Sequence, residues 1–179
     1  MLILDHYIFN VETAMLQQHT NENGEYYTIV VEKNVAFQVN MPMQKLLDIN
    51  LRYYGSSYRG ARDGSRAILG NIQLYPIVIS MIKKVIWLPS ESAKSKSRVW
   101  LALHYIHYPE TGPCGDTHTI VTLTSGLQFT IPVNYKNFTK IYNSALLLNA
   151  KINQRIYHTP QLIAERFIEY KIEDIDLYE

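Results

Sequence analysis

Cysteine is nearly absent from this 179-residue chain: Cys114 is the only one, so no disulfide can form within it. A crosslinked secreted scaffold is thereby excluded, and a reducing compartment, the cytoplasm, is expected. Long apolar runs are also missing. The longest, Leu74 to Leu88, is broken by Pro76, Ser80 and Lys83-Lys84 and falls short of the roughly 20 residues a membrane span needs. The short run at Met1–Leu4 ends at Asp5 without a basic lead, so no secretory signal and no membrane association are expected. Neither G-x-x-x-x-G-K-[ST] nor G-x-G-x-x-G occurs, which removes the two glycine-rich nucleotide cradles and with them nucleotide hydrolysis.

An excess of either charge is lacking too. Seventeen Lys and Arg face sixteen Asp and Glu, a net charge of +1. Taken as a total, this argues against a coat for polyanions. The distribution says otherwise: residues 1–32 carry five acids and no base, residues 156–179 six acids against Arg166 and Lys171, and residues 33–155 fifteen bases against five acids. A basic body between acidic termini is one of the few sequence-level signs of a polyanionic partner.

With 47% hydrophobic residues the chain supports a substantial core. Tyr26–Val31 and Val35–Val39 flank a turn at Lys33-Asn34, and Thr119–Thr124 and Leu127–Val133 flank Ser125-Gly126; both pairs predict β-hairpins. Val85–Leu88 and Val99–His107 are further strands, joined by a polar, basic loop over 89–97. From Asn137 the period becomes helical, with Phe138, Ile141, Ala145, Leu148 and Ile152 on one face. Lys136, Lys140, Lys151 and Arg155 lie within about 100° of one another on a different face. Thr159-Pro160 is expected to cap and open a last helix. No repeat or flexible linker divides the chain, so an α+β single domain over 1–179 is expected, β-hairpin-rich in its N-terminal and central part with helices at the C-terminal end.

The most unusual segment is 52–66, Arg-Tyr-Tyr-Gly-Ser-Ser-Tyr-Arg-Gly-Ala-Arg-Asp-Gly-Ser-Arg, with four arginines, three tyrosines, three glycines and three serines. Glycine admits close backbone approach, serine and backbone N–H groups donate to phosphate oxygens, and arginine grips phosphate or enters a narrow minor groove. If Ser57 caps a helix, Arg59, Arg62 and Arg66 share one face; Gly60 and Gly64 equally permit a loop. The alternative is that the tyrosines are core and the arginines pair with the acidic termini.

A second set, His104, His107, Cys114, Asp116 and His118, has zinc-ligand chemistry. Without a paired C-x-x-C, and with His104 and His107 on opposite faces of a strand, its spacing is poor. A small metal-dependent enzyme is therefore the alternative reading and no cofactor is expected; an RNA-binding module using the same aromatic and arginine residues is another.

The segment Arg52-Tyr53-Tyr54-Gly55-Ser56-Ser57-Tyr58, with Gly60 and Gly64 following, resembles the aromatic-Gly-Ser-Ser-Tyr signature of the competence transcription factor (ComK) family. Asn34–Met41, Ile86-Trp87-Leu88-Pro89, Trp100–His107, Ser125-Gly126 and Ile131-Pro132-Val133-Asn134-Tyr135-x-x-Phe138 resemble further family blocks in the same order. The resemblance covers about residues 26–155. It implies a non-enzymatic, sequence-specific bacterial activator of DNA-uptake genes, binding A·T-rich promoter boxes through the minor groove as dimers or paired dimers. It further implies RNA polymerase as a partner, and an adaptor to an ATP-dependent protease. Carried onto this sequence, the signature residues are Gly55, Ser56, Ser57 and Tyr58. The DNA contacts expected beside them are Arg52, Arg59, Arg62 and Arg66, then Lys94, Lys96 and Arg98, then Lys136, Lys140, Lys151 and Arg155. The acidic C-terminal stretch 167–179 lacks the proline-containing motif associated with adaptor recognition, and the first 25 residues match no family block.

Overall fold

The structure is a computed structural model that describes residues 1–93, 95, 97–112 and 115–168. Its elements in chain order are β1 (Ile3–Leu4), β2 (Thr13–Thr20), β3 (Tyr26–Glu32), β4 (Val35–Val39), α1 (Met43–Tyr53), α2 (Tyr58–Leu69), β5 (Ile77–Ser80), β6 (Val85–Pro89) and β7 (Val99–Ala102). A 3-10 turn (Leu103–Tyr105) follows, then β8 (Ile106–Gly112), β9 (Gly115–Leu123), β10 (Gln128–Ile131) and α3 (Tyr135–Ile168). Seven strands form one sheet in the order β1-β4-β3-β2-β7-β6-β5, and three form a second, β10-β9-β8. The chain is α+β, as its patterning implies.

Both predicted hairpins are present. β3 and β4 pair antiparallel through a turn in which Lys33 has φ 51°, and β9 and β10 pair around Gly126 at φ 84°, a backbone region that glycine enters freely. Val85–Leu88 and Val99–Leu103 read as unbroken apolar runs because both faces of the seven-stranded sheet are covered. Trp87, Trp100 and Ala102 pack with Leu46, Leu47 and Leu51 of α1 on one side. Ile86, Leu88, Val99 and Leu101 pack with Phe138, Ile141, Ala145 and Leu148 of α3 and with Val121 and Leu123 of β9 on the other.

Besides the expected helix at the C-terminal end, α1 and α2 stand between β4 and β5. Two expectations need correction. The predicted strand over 99–107 is two strands that enter different sheets, separated by the 3-10 turn. No new helix opens at Thr159-Pro160, because α3 runs continuously from Tyr135 to Ile168.

The first residues belong to the fold. Asn50, fully buried on α1, accepts the Phe9 N–H at 2.6 Å and donates to the Tyr7 carbonyl at 3.0 Å and the Leu46 carbonyl at 2.9 Å, while Tyr54 donates to the Phe9 carbonyl at 2.7 Å. These bonds satisfy the backbone of a strap that would otherwise carry buried, unpaired polar groups.

Candidate nucleic-acid interface

The segment 52–66 folds as the end of α1, a tight turn and most of α2. Gly55 sits at φ 83°, its N–H donating to the Arg52 carbonyl, and the Ser56 N–H donates to the Leu51 carbonyl at 2.8 Å. Ser57 is the N-cap of α2: extended at φ −143°, it accepts the Gly60 N–H on Oγ at 3.1 Å, the capping arrangement that satisfies an orphan donor of the first turn. Tyr58 donates its N–H to Asp48 at 2.9 Å and sets its ring edge-on to Trp100, centroids 6.2 Å apart. The Gly55-Ser56-Ser57-Tyr58 signature is therefore the turn that launches and aims α2, and the side chains of Ser57 and Tyr58 are engaged within the chain.

What α2 presents outward is its arginines. Only Ser65 is fully buried on it; Tyr58, Ala61, Ile68 and Leu69 are half-buried, a 3–4 spacing that fixes the inner face. Arg59, Arg62 and Arg66 are exposed and, at 100° per residue, fall within about 60° of each other. Arg59 lies 3.8 Å from Asp63, both side chains well solvated, so that pair contributes little. The Arg62 guanidinium stands 5.6 Å over the Tyr75 ring, and Arg66 forms no ion pair among the described residues. None of these arginines pairs with the acidic termini there. Gly60, Gly64 and Ala67 continue the exposed surface beside them as a low shoulder that lets another surface reach the helix backbone.

Asp48 holds the two helices together. Besides the Tyr58 N–H it accepts Arg52 Nε at 2.7 Å, an i,i+4 pair on α1. The Tyr58 N–H first and Arg52 second hold its carboxyl below the usual range, and Arg52 is raised by the same bond. Arg52 is thus engaged with Asp48, though it remains exposed.

The remaining basic positions diverge. Arg98 is 5% exposed, its guanidinium 4.6 Å over the Trp100 ring and its Nε without a hydrogen-bond partner, so it faces the core. Lys94 and Lys96 lie outside the described residues. On α3, Lys136, Lys140 and Arg155 are exposed, whereas Lys151 donates to the Ile68 carbonyl at 3.1 Å and joins α3 to the last turn of α2, where a cation suits exposed carbonyls.

The metal-type residues do not converge. His104 is on the 3-10 turn, its Nε2 2.8 Å from the Val11 carbonyl. His107 on β8 packs on Tyr108, and His118 on β9 bonds Thr117 at 2.9 Å. The β8–β9 register sets His118 beside Gly112, five positions along from His107 and so roughly 15 Å away. Among the described residues no three His, Cys, Asp or Glu side chains could hold a metal ion; Cys114 and the Asp116 side chain lie outside them. No described helix is long and apolar enough to cross a membrane.

Elements that escaped sequence reading include β1, β2, α1 and β5. Helix α1 was signalled by Met43, Leu46, Leu47, Asn50 and Leu51 at helical spacing after Pro42. The β5–β6 turn, Met81–Lys84, was hidden because its apolar residues continue the run that begins at Leu74.

Compared with known proteins, residues 4–157 match the profile of the ComK protein family. That match takes in the first 25 residues except the initial three, which had seemed unrelated. A Bacillus subtilis (strain 168) protein named Competence transcription factor is 26% identical over 137 residues, covering 76% of this chain and 70% of that protein. No solved structure matches.

Proposed function

Because this chain belongs to the ComK family, we propose that it is a transcriptional activator of competence genes that binds A·T-rich promoter boxes through the minor groove, as a dimer or paired dimers, and does no catalysis. The observation that carries this reading is the outward face of α2, where Arg59, Arg62 and Arg66 are exposed together beside the Gly60–Gly64 shoulder. A·T tracts narrow the minor groove and deepen its negative potential, which attracts arginine, and a glycine edge lets the helix backbone approach the phosphates. Lys136, Lys140 and Arg155 would contact flanking backbone, and Arg52 would do so while still held by Asp48. Lys94 and Lys96 remain candidates on the 89–97 loop; Arg98, facing Trp100, is the weakest. The name of the Bacillus subtilis relative supports activation of competence genes. RNA polymerase as a partner, a protease adaptor and cytoplasmic residence belong to the same proposal.

Footprinting and gel-shift titration on duplexes carrying paired A·T boxes test it. Protection of the boxes from minor-groove probes is expected, with weaker binding for Arg59→Ala, Arg62→Ala and Arg66→Ala. Equal affinity for G·C-rich and A·T-box duplexes would overturn minor-groove readout, since that groove distinguishes chiefly A·T from G·C. Unchanged affinity in all three variants would remove α2 from the interface.

A further inference from the structure

The β5–β6 hairpin breaks the rules of turn composition. Its four connecting residues are Met81-Ile82-Lys83-Lys84, with no Gly, Pro, Asn, Asp or Ser among them. Ile82 is 96% exposed and Met81 54%. A β-branched apolar side chain held almost wholly in water at the tip of a turn gains nothing from the fold of its own chain. The tip is nevertheless braced. The Lys83 N–H donates to Ser80 Oγ at 3.2 Å and the Lys84 N–H to the Met81 carbonyl at 3.2 Å. On one side the Lys83 ammonium lies 5.5 Å over the Tyr54 ring; on the other Lys84 lies 5.4 Å over the Tyr157 ring and donates to its hydroxyl at 3.1 Å.

The surroundings identify the occupant. Met81 and Ile82 line a hollow of about 430 Å³ together with Ala61, Gly64 and Ser65 of α2, so the tip and the glycine edge of the arginine helix border the same space. Ser65, 2% exposed, has an Oγ without a hydrogen-bond partner there. A protruding apolar residue rimmed by lysines and set beside arginines suits a ligand that is anionic outside and apolar once opened. Duplex DNA has that character: architectural proteins insert Ile, Leu, Met, Phe or Pro between base steps from the minor groove and kink the helix there, most easily at flexible TA steps.

We propose that Ile82, supported by Met81, is a wedge that enters a base step of the bound A·T-rich duplex and partly unstacks it. This rests on the DNA-binding reading above and adds a deformation to it.

The test uses the full chain and an A·T-box duplex in which 2-aminopurine replaces one adenine at a time at TA steps. At saturating wild-type protein, fluorescence at one step per bound unit is expected to rise at least about twofold as that base unstacks. Ile82→Ser is expected to keep the wild-type thermal midpoint, to bind about tenfold more weakly, and to show no rise at saturation. Arg59→Ala is expected to bind more weakly yet reach the full rise. Saturable wild-type binding without a rise, or a full rise in Ile82→Ser, would overturn the wedge and leave the DNA-binding reading standing. A loss of self-association in Ile82→Ser with the rise intact would assign the tip to a contact between copies and likewise overturn it. A wild-type protein that does not bind the duplex would overturn both.

Discussion

The carboxylate of Asp48 accepts the backbone N–H of Tyr58 at 2.9 Å, so one side chain on α1 fixes where α2 begins. The aim of the arginine face depends on this bond as much as on the turn between the helices. Asp48→Ala is expected to cost about 1 kcal/mol, the ordinary worth of such a hydrogen bond. Asp48→Asn, which retains an acceptor, should cost less. Chemical denaturation of both variants, with gel shifts beside it, checks the order.

The same residue has a pH signature. Tyr58 and Arg52 hold the Asp48 carboxyl below its ordinary 3.8, so the folded state binds this proton less readily than the unfolded chain. The stabilisation is fully present above that ordinary value and is lost as pH falls through the depressed one. Stability curves of wild type and Asp48→Asn should therefore run parallel from about pH 5 to about pH 8 and converge only below about pH 4. A difference that changes near neutrality would place the titration on another group.

Gly64 offers a contrast between folding and binding. It is exposed in the middle of α2, and a Cβ built on it meets nothing within 4 Å. Gly64→Ala should raise stability by about 0.5–1 kcal/mol through helix propensity. If DNA approaches the α2 backbone along this edge, the same methyl should weaken binding. Thermal melts and gel shifts moving in opposite directions are the expected outcome; improved stability with unchanged binding would remove the edge from the interface.

Gly55 is held by conformation alone. At φ 83°, with open space around it, Gly55→Ala is expected to lose about 1 kcal/mol or more from backbone strain. The loss should appear in denaturation as destabilisation, and in binding assays as a smaller change than Arg59→Ala produces.

Salt dependence gives a count of contacts. Each phosphate neutralised by an arginine adds about 0.9 to the magnitude of the slope of log K against log salt. Arg59→Ala, Arg62→Ala and Arg66→Ala should each reduce the slope by about that amount if they sit on phosphates. An arginine inside the groove should instead weaken binding mainly on A·T boxes.

The parts of this molecule legible in the sequence are those whose local chemistry and tertiary role agree. The β3–β4 and β9–β10 hairpins have β-branched runs around turn residues that reach positive φ, and α3 keeps one apolar stripe for about four turns. Helix α1 was missed because its signal, Leu46, Leu47, Asn50 and Leu51, lacks the polar N-cap that marks a helix start: Pro42 occupies that place without a side-chain bond. Residues 99–107 misled as one strand because apolar residues continue through the corner, with Leu103 and Ile106 buried on either side of exposed His104 and half-buried Tyr105, and no turn residue marks it. Within the candidate site, the arginine face could be read from spacing once a helix was assumed. That Tyr58 is held by Asp48 and Trp100 depends on partners distant in sequence and leaves no local trace, whereas the Ser57 cap bonds Gly60 three residues on and is legible from spacing; the inward turn of Arg98 onto Trp100 follows from burial that spacing alone does not give.

The order of strands also governs how the fold is reached. β2 to β4 form one antiparallel unit and β5 to β7 another, and as strands they pair only where Met15, Leu16 and Gln17 meet Leu101, Trp100 and Val99. Partners such as Leu16 and Trp100 are 84 residues apart, and closure over that length is slow compared with forming either hairpin unit. α1 and α2 bridge the gap, from β4 beside one edge of the sheet to β5 at the other, a span of about 24 Å at the usual strand spacing. Because α2 also rests on Lys151 of α3, its arginine face is complete only after that seam has closed and α3 has docked. A molecule caught at the hairpin stage therefore carries the arginines without their arrangement, and if α2 binds DNA as proposed, it should not yet bind.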